Sequence, residues 1–193
     1  MRSFMRTLLL FVSFTILTGL VYPFFITGLC QVIFPHKANG SLVIADGKIV
    51  GSDLIGQSFT SPKYFSGRPS AVEKPYDAGN SGGSNFGPSN SKFLEDVGKR
   101  ISKVRQENGL NQSASVPADL VLASGSGLDP DISLESALLQ VPRVAKTRSL
   151  AEAQVRQAVE ELARTAFPGS TDKQVHVLKL NIAIDALAGS NRQ

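Results

Sequence analysis

The run at residues 8–34, LLLFVSFTILTGLVYPFFITGLCQVIF, decides the architecture of this 193-residue chain. It holds no acidic or basic side chain over about 27 residues, whereas roughly 20 apolar residues cross the hydrocarbon core of a bilayer. The run is too long for a signal-peptide core, and no small-x-small cleavage site follows it. We predict one uncleaved transmembrane helix at residues 8–34, preceded by a short cytoplasmic N-terminus at residues 1–7.

Basic residues on the two flanks of this helix bear on its orientation. Arg2 and Arg6 lie on a tail too short to fold, and such positive flanks are retained in the cytoplasm. Lys37 and Lys48 on the other flank oppose this rule by count. We expect the rest of the chain on the periplasmic or extracellular side.

Small residues recur every fourth position within the helix, at Thr15, Gly19, Pro23 and Thr27. This spacing places them on one helix face, where small side chains allow another helix to approach closely. The alternative is that any long apolar helix contains some small residues. Pro23 is expected to kink the segment.

Composition excludes several classes of protein. The 20 Lys and Arg residues face 16 Asp and Glu residues, for a net charge of +4 without any basic run, so we expect no nucleic-acid binding. Cys30, the only cysteine, lies inside the apolar run, so no disulfide can form within the chain. It does not fit a lipoprotein cleavage site either, because the preceding Leu29 is large.

The remainder predicts a linker at residues 35–40 and one α+β domain at residues 41–193. Asp46-Gly47 between two apolar triplets indicates a β-hairpin. The stretch 51–67 resembles short irregular strands, and residues 74–90 form a long polar loop. Further elements are predicted from local signals: a helix capped by Ser91, a strand at residues 120–122, a helix capped by Ser133, a new turn at Pro142, and a capping box at Ser149 and Glu152 with a helix through Ala166. A last strand starts at residues 175–179, and the chain then either turns helical through Leu187 or continues as a strand to Ile184.

Candidate catalytic and metal sites are weak. His36 and His176 are the only histidines, and no cluster supplies the three or four ligands of a zinc site. Ser126 with His176 as base is one alternative, a serine hydrolase, although the G-x-S-x-G motif is missing. Oxygen side chains alternate as in a calcium loop from Asp129 to Glu135, but its essential glycine is missing, and turn or capping roles explain them without an ion.

The loop Ser81, Gly82, Gly83, Ser84 and Asn85 is the candidate nucleotide-binding segment. Consecutive backbone N–H groups in such a loop can bind an anion, which leaves a nucleotide-binding regulator as a second alternative. It lacks the flanking residues of an ABC signature motif and the Gly-Lys-Ser/Thr of a Walker A loop. A polar docking loop is the favoured interpretation.

Several motifs together resemble the C subunit of the Kdp-type potassium-transporting ATPase, in that family's order and spacing. They run from just after the membrane helix nearly to the C-terminus: GS-x-LIGQ at residues 51–57, YF-x-GRPS at 64–70, YD at 76–77, SGGSN-x-GP-x-N at 81–90, PADLV at 117–121, SGSGLDPDIS at 124–133, QVPRVA at 140–145 and VL-x-LN at 177–181.

The resemblance implies a non-catalytic accessory subunit in the bacterial inner membrane. Its expected partners are a channel-like potassium-binding subunit, a P-type ATPase subunit and the lipid bilayer. The family is also described as raising the ATPase subunit's affinity for ATP, so ATP is possible by family description, but no firmly bound cofactor and no metal are expected.

Overall fold

The computed structural model describes residues 1–45 and 47–190 and divides the chain into two compact units, Met1–Leu42 and Val43–Gln193. The mixed helix and sheet content confirms the predicted α+β class. Asp46 of the predicted hairpin turn and residues 191–193 of the predicted domain lie outside the described residues. Among those described, one helix, Arg2–Ile33, is long and apolar enough to cross a membrane.

The helix of the first unit changes its winding before the proline. Helix α1 (Arg2–Ile16) continues into a π-helical stretch, Leu17–Val21, and then into α2 (Tyr22–Ile33). Pro23 has no N–H to donate and its ring crowds the preceding turn, and the wider π turn accommodates both effects. The predicted linker contains one helical turn, α3 (Pro35–Ala38).

The predicted hairpin forms at the boundary of the two units: β1 (Leu42–Ala45) starts at the last residue of the first unit and pairs with β2 (Lys48–Ser52). The prediction of irregular strands at residues 51–67 is wrong after Ser52, where β2 ends. The segment from there to residue 67 has a single isolated bridge, between Ser52 and Ile55. No helix or strand then intervenes before α4 (Ser91–Glu107). Its N-cap is Asn90 rather than Ser91, since Phe93 N donates to Asn90 Oδ1.

Antiparallel pairing forms the second sheet, in the order β3-β5-β4. Its strands are β3 (Asp131–Ser133), β4 (Arg164–Thr165) and β5 (Lys173–His176). The strand expected at residues 120–122 is wrong: a 3-10 turn, Ala118–Leu120, follows Pro117 and buries Leu120.

Three helices cover this sheet. They are α5 (Leu134–Arg148), α6 (Glu152–Leu162) and α7 (Val177–Ser190). Ser133 caps α5 as predicted, and β5 passes directly into α7. The capping box at Ser149 is wrong, because Ser149 adopts a left-handed φ of 54° and ends α5.

Two other helix predictions also fail. Pro142 lies inside α5 instead of starting a turn; the cap at Ser133 starts the helix earlier, and the proline ring faces solvent. Helix α6 ends at Leu162, so Ala166 is not part of it.

The hydrophobic core of the second unit lies between the helices and the sheet. Burying each large apolar side chain there stabilises the fold by about 1.5–3 kcal/mol. The largest fully buried apolar residues are Phe65, Ile132, Val141, Val144, Val155, Val159, Val175, Leu180 and Ile184.

Candidate functional site

Two buried carboxamides hold the segment around Phe65 and Ser66. Asn181 on α7 donates through Nδ2 to Phe65 O at 3.0 Å and accepts from Phe65 N at 2.8 Å. Gln140 on α5 repeats the arrangement with Ser66, donating to its carbonyl at 3.2 Å and accepting from its N–H at 2.8 Å. A carboxamide carries one acceptor and two donors, so it can replace the partner strand that this backbone lacks. We call this pair the amide clamp.

Arg143 extends the clamp by bonding with all three of its guanidinium nitrogens. Its Nη2 donates to Gln140 Oε1 at 2.7 Å, and its Nε donates to Asn108 Oδ1 at 2.9 Å. Its Nη1 donates to the carbonyls of Pro62 and Tyr64 at 2.5 and 3.0 Å. Burial lowers the pKa of Arg143, but the group stays charged at physiological pH. The QVPRVA motif therefore fastens residues 62–66 to α5.

Tyr76 fills a slot made by two motif glycines. A Cβ on Gly56 would lie 2.5 Å from the Tyr76 ring, and a Cβ on Gly67 would lie 2.5 Å from the Tyr76 hydroxyl oxygen. That hydroxyl donates to Arg68 O at 2.6 Å, and Tyr76 N donates to Ser70 Oγ at 3.2 Å. The two motifs at residues 64–70 and 76–77 are thus parts of one packed structure.

Charged groups join this structure to the SGSGLDPDIS motif. Arg68 Nη1 donates to Asp129 Oδ2 at 2.9 Å, and Asp131 N donates to Asp129 Oδ1 at 3.1 Å. Burial, followed by the nearby Asp129 carboxylate, raises the pKa of Tyr76 to about 12. The phenol is therefore neutral at physiological pH and acts as a hydrogen-bond donor.

The polar loop at residues 74–90 packs against the same motif through residues near its middle. Ser81 Oγ and Gly82 N both donate to Ser126 O, at 3.0 and 2.9 Å. Ser70 Oγ donates to Gly127 O at 2.8 Å. Gly127 has a φ of +68°, and a Cβ there would lie 2.8 Å from Gly82 O, so only glycine fits this contact.

The packing of the polar loop on Ser126 affects the candidate nucleotide-binding segment, because it uses a backbone N–H that could otherwise bind an anion. Within the segment Ser81, Gly82, Gly83, Ser84 and Asn85, the hydroxyl of Ser81 and the N–H of Gly82 already donate to Ser126 O, so one backbone N–H of the segment is no longer available to an anion. Gly82, Gly83 and Ser84 are half-buried, and Asn85 is exposed with a φ of 53°. Nucleotide binding at this loop stays a prediction.

The serine hydrolase pair is not assembled. His176 is buried, its Nε2 donates to Asp53 O at 3.1 Å, and its Nδ1 accepts from Lys179 N at 3.4 Å. Ser126 Oγ accepts from Leu128 N at 3.1 Å. A nucleophile needs its base within hydrogen-bond reach, but both nitrogens of His176 bond to other residues.

The oxygen side chains near β3 have structural partners. Both oxygens of Asp131 accept from Arg164 Nη2, at 2.9 and 2.7 Å. Asp119 accepts from Ser133 N at 2.6 Å and from the hydroxyls of Ser133 and Ser136. No group of three potential metal ligands forms within residues 1–45 and 47–190.

The amide clamp was missed by the sequence interpretation, although it leaves a signal. Gln140 and Asn181 each interrupt an otherwise buried apolar helix face, and both are about 1% exposed. A carboxamide at such a position has to find a partner inside the protein, because leaving it unpaired costs about 1–3 kcal/mol. What the sequence does not show is which distant backbone it meets.

In the membrane helix, the stripe of small residues is exposed. Thr15 and Thr27 donate from their hydroxyls to the carbonyls four residues earlier, so neither leaves an unpaired hydroxyl in lipid. A four-residue spacing drifts by about 40° per step around an α-helix. The π-helical stretch around Gly19 turns less per residue and reduces this drift, which brings Thr15, Gly19, Pro23 and Thr27 closer to one line.

Comparison with known proteins covers nearly the whole chain. The KdpC subunit of the potassium-transporting ATPase of Polaromonas naphthalenivorans is 50% identical over 194 residues, spanning 99% of this chain and 98% of that protein. The KdpC subunit of Methylobacterium nodulans is 49% identical and spans 95% of this chain and 96% of that protein. The KdpC subunit of Caldanaerobacter subterraneus is 47% identical and spans 93% of this chain and 92% of that protein.

A family model described as "KdpC: K+-transporting ATPase, c chain" matches residues 4–186. This range includes all but the first two residues of the membrane helix, the amide clamp and every motif of the packed loops. The chain therefore belongs to the KdpC family.

Proposed function

We propose that this chain is the non-catalytic accessory subunit of a high-affinity, ATP-driven potassium uptake pump in the bacterial inner membrane. It assembles with a channel-like potassium-binding subunit and a P-type ATPase subunit, and its domain lies on the periplasmic side. The three relatives compared above are KdpC subunits of potassium-transporting ATPases. The observation that carries the proposal is that the polar side chains of the family motifs bond to this chain's own backbone.

A catalytic subunit holds reactive groups free and close together, whereas the amide clamp and Arg143 direct their donors and acceptors inward. Such a structure presents a fixed surface and leaves ion movement and ATP hydrolysis to other subunits. The family match supports neither the hydrolase nor the nucleotide-binding regulator.

Support for the orientation comes from charge. Arg2 and Arg6 precede the apolar run, and the domain carries both acidic and basic residues without a basic run. The decisive test is to add protease to intact spheroplasts. We expect the domain to be cleaved while the N-terminus is protected; a domain degraded only after lysis would contradict the periplasmic placement.

Assembly is tested through the helix stripe. A Cβ at Gly19 would meet nothing within 4 Å, so Gly19→Leu leaves the chain's own fold intact. The larger side chain blocks close approach of a partner helix, and we expect less of the partner subunits to co-purify in mild detergent. Leu20→Ala is the matched control on a different face. Equal yield for both variants would contradict helix packing through this stripe.

A role for ATP is suggested only by the description of the family. We propose that this chain holds no nucleotide firmly, because Ser81 and Gly82 already donate to Ser126 O. Titration of the full chain with ATP checks this. Tight binding that Gly82→Asp abolishes would contradict it and favour the regulator.

A further inference from the structure

The segment that joins the membrane helix to the first hairpin is folded back on the helix end. Asn39 Nδ2 donates to Gln31 Oε1 at 3.1 Å, and Gln31 Nε2 donates to Asn39 Oδ1 at 3.3 Å. Ser41 N donates to His36 O at 2.9 Å, and His36 Nε2 donates to Leu42 O at 3.3 Å. These bonds keep Leu42, the first residue of β1, close to the last turn of the membrane helix.

The hairpin that begins there exposes large aliphatic side chains. Ile44 in β1 is 66% exposed, Ile49 in β2 is 64% exposed, and Leu54 just after β2 is 62% exposed. We call these three residues the apolar hairpin surface. Burying each of them removes apolar area from water, and a surface helix or hairpin at a bilayer does this by entering the headgroup and acyl boundary.

Two basic residues lie near the apolar hairpin surface in the sequence. Lys48 opens β2 and Lys37 lies in α3, and both are exposed. Ammonium groups beside aliphatic side chains match a membrane surface, where anionic headgroups lie above the acyl chains. Lys37 also has its Nζ 6.0 Å from the centre of the Phe34 ring at the helix end.

We propose that the apolar hairpin surface contacts phospholipid at the membrane surface. The inference goes beyond assembly of the pump, because it assigns a lipid-binding role to residues outside the transmembrane helix. Its basis is the short chain connection between the span and the hairpin, because β1 begins at Leu42 shortly after the apolar helix ends at Ile33, together with the exposed lysines. With this contact the hairpin fixes the start of the domain at the bilayer surface.

The chain contains no tryptophan, so a single introduced tryptophan reports on its own surroundings. We would reconstitute full-length Ile49→Trp into nanodiscs of phosphatidylcholine and phosphatidylglycerol, with and without bromine near the top of the acyl chains. The expected result is blue-shifted emission and loss of most of the fluorescence in brominated lipid. Phe167→Trp is the matched control, because Phe167 is 62% exposed and lies on a different part of the unit.

Three results would overturn the proposal. One is water-like emission from Ile49→Trp, and another is blue-shifted emission that brominated lipid does not quench, which would mean that protein covers the residue. The third is equal quenching of both variants, which would mean that the whole unit adsorbs without preference. Leu54→Trp gives an independent reading if Ile49→Trp fails to fold. None of these results depends on potassium transport, so failure here is distinguishable from failure of the proposed function.

Discussion

Residues 59–70 and 76–90 are both long stretches without helix or strand, and both are rich in family motifs, yet their polar groups have different partners. The first stretch is held by the amide clamp, and its Phe65 is fully buried. The second bonds to the protein through Tyr76, Ser81 and Gly82 and is exposed from Asn85 to Asn90.

This contrast shows that polar residues can occur in a family motif for two different physical reasons. The buried backbone of the first stretch is satisfied by the side chains of the amide clamp, so changing those side chains alters the stability of the domain. Exposed groups in the second stretch bond to little of this chain and are open to a partner. Variants of the amide clamp and variants of the second stretch should therefore affect different measurements, and the expected loss of stability falls from the buried clamp to the exposed loop.

Asn181→Leu should have the largest effect. It removes both partners of the Phe65 backbone, and an unpaired buried polar group costs about 1–3 kcal/mol, so we expect about 3 kcal/mol or more of lost stability. Urea unfolding of the full chain in detergent, followed by circular dichroism, measures this. Asn80→Leu is the matched control in the exposed loop and should change stability by less than about 0.5 kcal/mol. Similar losses for both variants would contradict the contrast.

Tyr76→Phe should have an intermediate effect that depends on pH. At neutral pH it removes the hydrogen bond to Arg68 O and should cost about 1 kcal/mol. The pKa of Tyr76 is about 12 in the folded chain against an ordinary value of 10.0, so the folded state retains a proton that the unfolded state loses between these values. This stabilisation is complete below pH 10 and is lost as pH rises from about 10 to about 12, a fall of about 2 kcal/mol.

The comparison with wild type isolates this group from other titrations. Tyr76→Phe cannot lose that proton, so its stability should fall less steeply over the same alkaline range. Parallel curves for the two proteins would show that Tyr76 titrates normally and that its environment is more polar than the buried slot between Gly56 and Gly67.

Local sequence signals predicted the elements that depend on neighbouring residues. Ser133 lies beside the N–H that it caps, and the apolar run needs only the bilayer to define it. Ser149 failed because its S-x-x-E pattern fits a helix start, while the end of α5 required a left-handed residue at the same place.

Hydrogen-bond partners that are distant in the sequence could not be predicted from local signals. The clamp bonds join residues 116 and 74 positions apart, and nothing near Asn181 or Gln140 identifies residues 65 and 66 as their partners. Among the candidate site residues, the loop at residues 81–85 was recognised as a loop from its composition. Its contact with Ser126, which decides how many N–H groups stay available, was not predictable.

Phe86→Ala should have the smallest effect on stability and the clearest effect on assembly. The Phe86 side chain is 42% exposed, and its ring centre lies 6.3 Å from that of Phe93 at the start of α4. Removing it should cost less than about 1 kcal/mol, because only part of its apolar surface is buried. Exposed aromatic residues are frequent anchors of protein interfaces, so we expect less of the partner subunits to co-purify. Phe167→Ala removes a ring that is more exposed, at 62%, and lies outside the family motifs, and it should leave the complex intact. A complex that tolerates both changes would show that the second stretch, like the first, serves only this chain's own fold.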